Sequence, residues 1–301
     1  MRLFSGTFRQ VSAALRMLIV FTVILGIAYP LLVFAISQLP GLQSRADGSV
    51  ITENGKPVGS KLLGQTFTDS KGNPLVQYFQ SRPSASAYDP IVSGASNLGP
   101  ESIVDVLPDP KHESDTGAQS LLTQVCARSL AVGKLEHVSG ARPFCTPDGV
   151  GAVLAVFYAD PGYRGSVTHS VSINQECPAT PFISTYGGAP VTCARYGVDY
   201  SNAKIVPVRG DAPAHPAVPA DAVTASGSAV DPEISISYAR LQEPRVARAR
   251  GVTVAQVNEV VDSVATGRDL GFMGESKVNV VLVNLGLDAK YRYRGASTMR
   301  P

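Results

Sequence analysis

The stretch Met17 to Ile36 (MLIVFTVILGIAYPLLVFAI) holds no charged residue, and the charge-free run continues to Ser44. At about 1.5 Å per residue, twenty helical residues span roughly 30 Å, the thickness of a bilayer's hydrocarbon core. Only a helix pairs every backbone polar group within one lipid-embedded segment, so residues 17–37 are expected to form a single transmembrane helix. Pro30 lies inside it and predicts a kink. Arg2, Arg9 and Arg16 precede the helix with no acid among them, whereas Arg45 beyond it is soon balanced by Asp47 and Glu53. That bias predicts residues 1–16 in the cytoplasm and the bulk of the chain outside, in a single-pass protein of the plasma membrane. Ala35-Ile36-Ser37 resembles a signal-peptidase site. The apolar run is nevertheless longer than the usual signal core of about 7–15 residues, which favours an anchor.

The remainder of the 301 residues suffices for one large or two small domains. A formal charge of +2 gives no footprint for nucleic acid. Four cysteines, Cys126, Cys145, Cys177 and Cys193, all follow the apolar helix and make no C-x-x-C spacing. Two structural disulfides are expected, with the pairing open.

Pro40-Gly41 ends the apolar helix, and 43–56 reads as a polar linker. Strand-like runs at 61–67 and 75–79 flank the turn-rich Asp69-Ser-Lys-Gly-Asn-Pro74, which predicts a hairpin. Ser81 to Pro100 (SRPSASAYDPIVSGASNLGP) excludes a regular element; such loops are ordered by their own side chains or used for binding. Residues 108–217 change texture: a helix over 119–132 carrying Cys126, then strands at 150–158, 167–173, 182–186, 190–193 and 204–208. A hairpin turn is expected at Tyr186-Gly-Gly-Ala189. Further on, Asp231-Pro232-Glu233 announces a helix whose face holds Ile234, Tyr238 and Leu241, and Glu243-Pro244 permits a second start running to Gly251. Thr253-Val-Ala-Gln256 is a capping box for a helix with Val254, Val257, Val260, Val261 and Val264 inward, closed by Gly267. Lys277 to Leu287 alternates like a buried strand, and residues 289–301 read as a flexible basic tail. The fold class is therefore α+β. A membrane helix precedes a core domain of 38–107 and 218–288, into which 108–217 is inserted as a disulfide-stapled, mostly β segment.

Nothing in the sequence assembles an active site or a metal site. His112, His137, His169 and His215 are isolated, and neither Ser226 nor Ser228 has the paired glycines of a nucleophile elbow. These serines read as a turn capping the next helix. Arg240, Arg245, Arg248 and Arg250 make a basic helical face beside Glu243, either solvated or a docking surface for acidic groups or lipid. Asp89, Glu101, Asp231 and Glu233 serve as caps and turn formers, or bias the local field toward cations.

Several blocks resemble the C subunit of Kdp-type potassium-transporting P-type ATPases, the KdpC family. They are Gly59-Ser-Lys-Leu-Leu-Gly-Gln-Thr-Phe67, Tyr78-Phe-Gln-Ser-Arg-Pro-Ser-Ala85 with Tyr88-Asp89, and Ser93-Gly-Ala-Ser-Asn-Leu-Gly-Pro100. Later come Val223-Thr-Ala-Ser-Gly-Ser-Ala-Val-Asp-Pro232, Gln242, Arg245-Val-Ala-Arg-Ala-Arg-Gly251, and Gly274-Glu275 through Val278-Asn-Val280. Ala95 and Ala229 stand where that family often has glycine, Ser276-Lys277 replaces Pro-Arg, and the cysteine-bearing segment replaces a short connection.

The resemblance implies a non-catalytic accessory subunit. Its partners would be a channel-like A subunit, an ATP-hydrolysing B subunit and membrane lipid. It would hold no stable cofactor; ATP enters only through the B subunit, whose ATP affinity it would raise as a catalytic chaperone. Gln65, Arg82, Asp89, Ser96, Asn97, Asp231, Glu233, Gln242 and Arg245 are the residues expected to face partners or order loops. An anchored envelope hydrolase and an anchored scaffold module are the alternative readings.

Overall fold

The structure is a computed structural model that describes residues 2–53, 55–293 and 295, with side chains from Phe8 onward among them. Contacts group the chain into two units, Met1–Leu62 and Leu63–Arg300.

The first unit is built on an unbroken helical rod. Helix α1 (Arg2–Val23) passes through a π-helical turn (Ile24–Ala28) into α2 (Tyr29–Ser37). The π turn sits directly before Pro30. Widening to an i→i+5 bond, Tyr29 N–H to Ile24 O, accommodates a ring that cannot donate, so the irregularity at Pro30 takes this form. Phe8–Ser37 is apolar and long enough to cross a membrane. The helix thus starts well before Met17, because residues 8–16 contain no glycine or proline to stop it. The expected linker over 43–56 is also structured. A short helix α3 (Gln43–Ala46) leads into an antiparallel hairpin of β1 (Val50–Glu53) and β2 (Lys56–Ser60). Gly48 and Gly55, both at positive φ, turn the chain on entry and between the strands.

In the second unit, α4 (Leu121–Glu136) begins at Ser120, whose hydroxyl accepts from Thr123 N–H. Beyond it lies a five-stranded sheet of β3 (Val153–Asp160), β4 (Arg164–Glu176), β5 (Thr185–Tyr186), β6 (Ala189–Ala194) and β7 (Lys204–Pro207). The strand order is β5-β6-β4-β3-β7, antiparallel except for β4 beside β6. Alternation along β3 sends Val153 and Ala155 into one apolar cluster, with Val171 and Ile173, and Leu154 and Val156 into another, with Val191. The two disulfides are Cys126–Cys145 and Cys177–Cys193. The expected turn at Gly187-Gly188 is present, both glycines at positive φ.

A second, small sheet orders β8 (Glu233–Ser235), β10 (Lys277–Asn279) and β9 (Ala265–Thr266) as β8-β10-β9. With it go α5 (Ile236–Arg250), α6 (Val254–Val264) and α7 (Val280–Lys290). The capping box at Thr253 and Gln256 forms, and Val257, Val260 and Val261 are buried. Val254 instead faces outward, and the helix ends at Val264, before Gly267.

Three sequence expectations are corrected here. Residues 233–235 are strand, not helix, and Ser235 rather than Asp231 caps α5. That helix runs through Pro244 without a second start. The apolar run from Lys277 is strand for only three residues. Asn279 then accepts from Leu282 N–H and starts α7; apolar residues at half-buried Leu282 and Leu285 as well as on the buried face hide its period. α7 carries the ordered chain to Lys290, inside the expected tail; residues 294 and 296–301 of that tail lie outside the described residues.

Candidate functional site

The two expected strands at 61–67 and 75–79 are not strands. Two backbone hydrogen bonds, Leu75 N–H to Phe67 O at 2.9 Å and Asp69 N–H to Asn73 O at 2.8 Å, close a turn whose Asp69 carboxylate accepts from Lys71 and Asn73 N–H. The next residues, Val76 to Gln80, are held by helix side chains in place of a neighbouring strand.

Asn284, on α7, accepts from Phe79 N–H at 2.8 Å and donates to Phe79 O at 3.0 Å. Gln242, on α5, does the same for Gln80, at 2.7 and 3.1 Å. Each side-chain amide thus mimics one rung of a β ladder. Arg245 donates to the carbonyls of Val76 and Tyr78, to Gln242 Oε1, and through Nε to both oxygens of Glu136. Arg250 donates to Gln77 O, pairs with Asp288 at 2.9 Å and stacks its guanidinium on the Tyr78 ring. The backbone of 76–80 is therefore satisfied almost residue by residue from α5 and α7, as buried polar groups require. The basic face expected on α5 is corrected accordingly: Arg245 and Arg250 are buried structural donors, Arg240 bridges Glu243 and Asp262, and only Arg248 is exposed.

Burial shapes the titration of this cluster. It pushes the Glu136 carboxyl up from its ordinary value, with Arg245 pulling the other way. It raises the Tyr78 hydroxyl to about 12, aided by the charge of Asp288. The Tyr88 hydroxyl also rises to about 12, chiefly by burial.

The proline- and glycine-rich loop 81–100 continues the same construction. Ser84 Oγ accepts from Ser86 and Tyr88 N–H while donating to Ala229 O. Tyr88 Oη donates to Arg82 O, and Arg82 reaches Asp231 and Thr224 O. Gly94 N–H and Ser93 Oγ both donate to Ser228 O. Gly64 fits because it has no Cβ: one would collide with the Tyr88 ring and Asp231 O. Loop 81–100 is thus zipped onto 223–231 and ordered by its own side chains.

The expected site residues divide between these roles. The Gln65 carbonyl accepts from Ser81, and Arg82, Asp231, Gln242 and Arg245 lie within the clamp and zipper. Asp89 caps the 3-10 turn at Pro90–Val92, and Glu233 pairs with Lys277 across the small sheet. Ser96 and Asn97 sit on the exposed part of the loop, Asn97 at φ +57°. Sequence reading passed over Asn284, Asp288 and Glu136, which are close to the clamp only through the fold. Ser228 donates to Asp231 and accepts from Val230 N–H, making a turn before β8 and not a helix cap. Among the described residues no group of His, Cys, Asp and Glu is arranged to hold a metal.

A protein-family model described as "K+-transporting ATPase, c chain", KdpC, matches residues 11–106 and 198–289. Those two blocks contain the apolar helix from Val11 onward, both segments of the zipper and all of the clamp except Glu136. The chain belongs to the KdpC family. A potassium-transporting ATPase KdpC subunit of Kineococcus radiotolerans is 34% identical over 93% of both chains. One from Mycobacterium tuberculosis is 31% identical over 93% of this chain and 98% of its own. One from a Janthinobacterium species is 31% identical over 95% and 99%. Such KdpC subunits match at nearly full length, so the interval between the two blocks has counterparts of similar size in them. As a KdpC-family protein the chain is a subunit of a potassium-transporting ATPase and associates with other Kdp subunits. Ala229, where that family often has glycine, takes φ +60°, a conformation glycine adopts freely.

Proposed function

We propose that this chain is the accessory subunit of a high-affinity potassium uptake pump. Its membrane helix packs beside a channel-like A subunit and a P-type B subunit. Residues 1–16 lie in the cytoplasm, and the folded unit lies on the outer side. The observation that carries this reading is the near-full-length match to KdpC subunits, with the matched blocks converging on one clamp. Residues 38–107 and 218–288 form the core common to the family, and 108–217 is an elaboration fixed to it by Glu136–Arg245 at 2.9 Å and by Arg128 donating to Val223 O.

The catalytic-chaperone role follows as a through-membrane effect. ATP is cytoplasmic and only residues 1–16 share its compartment, so a rise in the B subunit's ATP affinity passes through the helix packing and not through a nucleotide site in the folded unit. The test combines affinity purification of the full chain from membranes in mild detergent with protease treatment of intact cells. Recovery of both pump subunits, with the folded unit cleaved from outside, supports the reading. A chain recovered alone, or a folded unit protected until lysis, overturns it.

A further inference from the structure

The hairpin joining β9 to β10 carries apolar side chains on its outside. Leu270 is 83% exposed, Phe272 72% and Met273 52%. The loop is nevertheless built, because Asp269 and Met273 exchange both backbone hydrogen bonds at 2.9 Å and Gly271 N–H closes onto Arg268 O. Gly271 and Gly274 take positive φ, and so does Leu270 at +53°, in the left-handed region that a leucine seldom occupies. Strain of that kind persists where the surroundings enforce it, often at binding elements. Here it accompanies a leucine side chain turned away from the core. A rigid tip bearing Phe, Met and Leu has the composition of an interface anchor, and little freedom is lost when it docks.

Charge argues for one occupant. Arg268 and Lys277 are matched by Asp269 and Glu275, and Lys277 is already paired with Glu233. A tip made for anionic lipid would carry a basic rim; this one is neutral. Size argues against a second copy, since three side chains fall far short of the roughly 1,200 Å² that a stable free-standing interface buries. A small anchor suffices when the chain is already tethered beside its partner, because tethering sets an effective concentration in the millimolar range. Resting on the functional reading above, we infer that the tip from Leu270 to Met273 seats in an uncharged apolar pocket on the outer surface of a membrane-embedded subunit of the same pump.

The test places the photocrosslinker p-benzoylphenylalanine at position 272 of the full chain, co-expressed with the pump subunits in membranes. The expected result is a light-dependent adduct with one pump subunit, mapped by mass spectrometry. Adducts with lipid alone or with a second copy, or no adduct, overturn the inference. In parallel, Phe272→Asp should lower the co-purifying pump subunits at least tenfold while leaving the melting temperature unchanged. Equal co-purification by the variant overturns this docking site alone. If the unsubstituted chain also brings down no pump subunit, the functional reading falls with it.

Discussion

Asn284→Leu isolates the clamp in a single side chain. Asn284 and Phe79 are both 0% exposed, and among the described residues the Phe79 N–H and C=O bond only to the Asn284 amide. Leucine keeps nearly the same shape but leaves one buried donor and one buried acceptor without partners. Each orphan costs about 1–3 kcal/mol, so the variant should lose about 2–6 kcal/mol. Against a total near 5–15 kcal/mol that is a large share. For a unit of this size each kcal/mol moves the midpoint by about 2–4 °C, giving a fall of roughly 5–20 °C. Thermal unfolding of the full chain in detergent, followed by circular dichroism, reads it, with exposed Arg248→Met as a control within about 0.5 kcal/mol.

Asn284→Asp sharpens the test. A protonated carboxyl can accept from Phe79 N–H and donate to Phe79 O, whereas the carboxylate faces that carbonyl with a charge. Burial raises such a group's folded-state pKa above its unfolded value. Its stability is then fully present below about pH 3.9 and lost as pH rises through the folded value. Relative to the parent, this variant should therefore lag most at pH 8 and least in acid. An Asn284→Leu midpoint within a degree or two of the parent would refute the reasoning.

Peptide mapping should recover Cys126 joined to Cys145 and Cys177 joined to Cys193, and replacing either pair by alanine should cost about 3 kcal/mol; any other pairing contradicts the fold. Gly64→Ala should destabilise by about 1–3 kcal/mol, read by the same melting assay, because the added methyl meets the Tyr88 ring and Asp231 O. Ala229→Gly should cost less than about 1 kcal/mol despite the lost methyl, since it relieves a left-handed alanine; a larger loss contradicts that conformation. With no tryptophan present, tyrosinate absorbance reports tyrosines directly. Tyr78 and Tyr88, both raised from 10.0 to about 12, should titrate late. Their raised values contribute stability that is present below pH 10 and lost as pH rises toward 12; every tyrosine titrating near 10 in the folded chain would contradict the burial.

What could be read from residues alone followed local rules. The apolar helix, the Thr253 capping box, the Gly187-Gly188 hairpin and the disulfide-bearing β region each rest on short-range periodicity or turn chemistry. The failures have two causes, pairing between residues distant in sequence and a masked period. Leu75 to Phe79 reads as a strand from its apolar and aromatic residues, yet the chain turns at Leu75–Tyr78, and the partners of Val76 to Gln80 are Asn284, Gln242 and Arg245, distant in sequence and contributed by helices. The same long-range pairing turned Arg245 and Arg250 inward from an apparently solvated face. In Lys277 to Leu287 apolar residues on the half-buried face as well as the buried one masked the period, and only Asn279 as a cap marked the switch from strand to helix. Arg82, Asp231, Gln242 and Arg245 were named from the sequence, while Asn284, Asp288 and Glu136, and the bonds that join them, needed the fold.

The most direct measurement compares potassium-stimulated ATP hydrolysis of the purified pump with and without this chain, across ATP concentrations. The expected result is that the complete assembly hydrolyses ATP at low potassium with a lower KM for ATP, and that the assembly lacking this subunit loses both properties. Identical potassium stimulation and ATP dependence in the two preparations would contradict the proposed role.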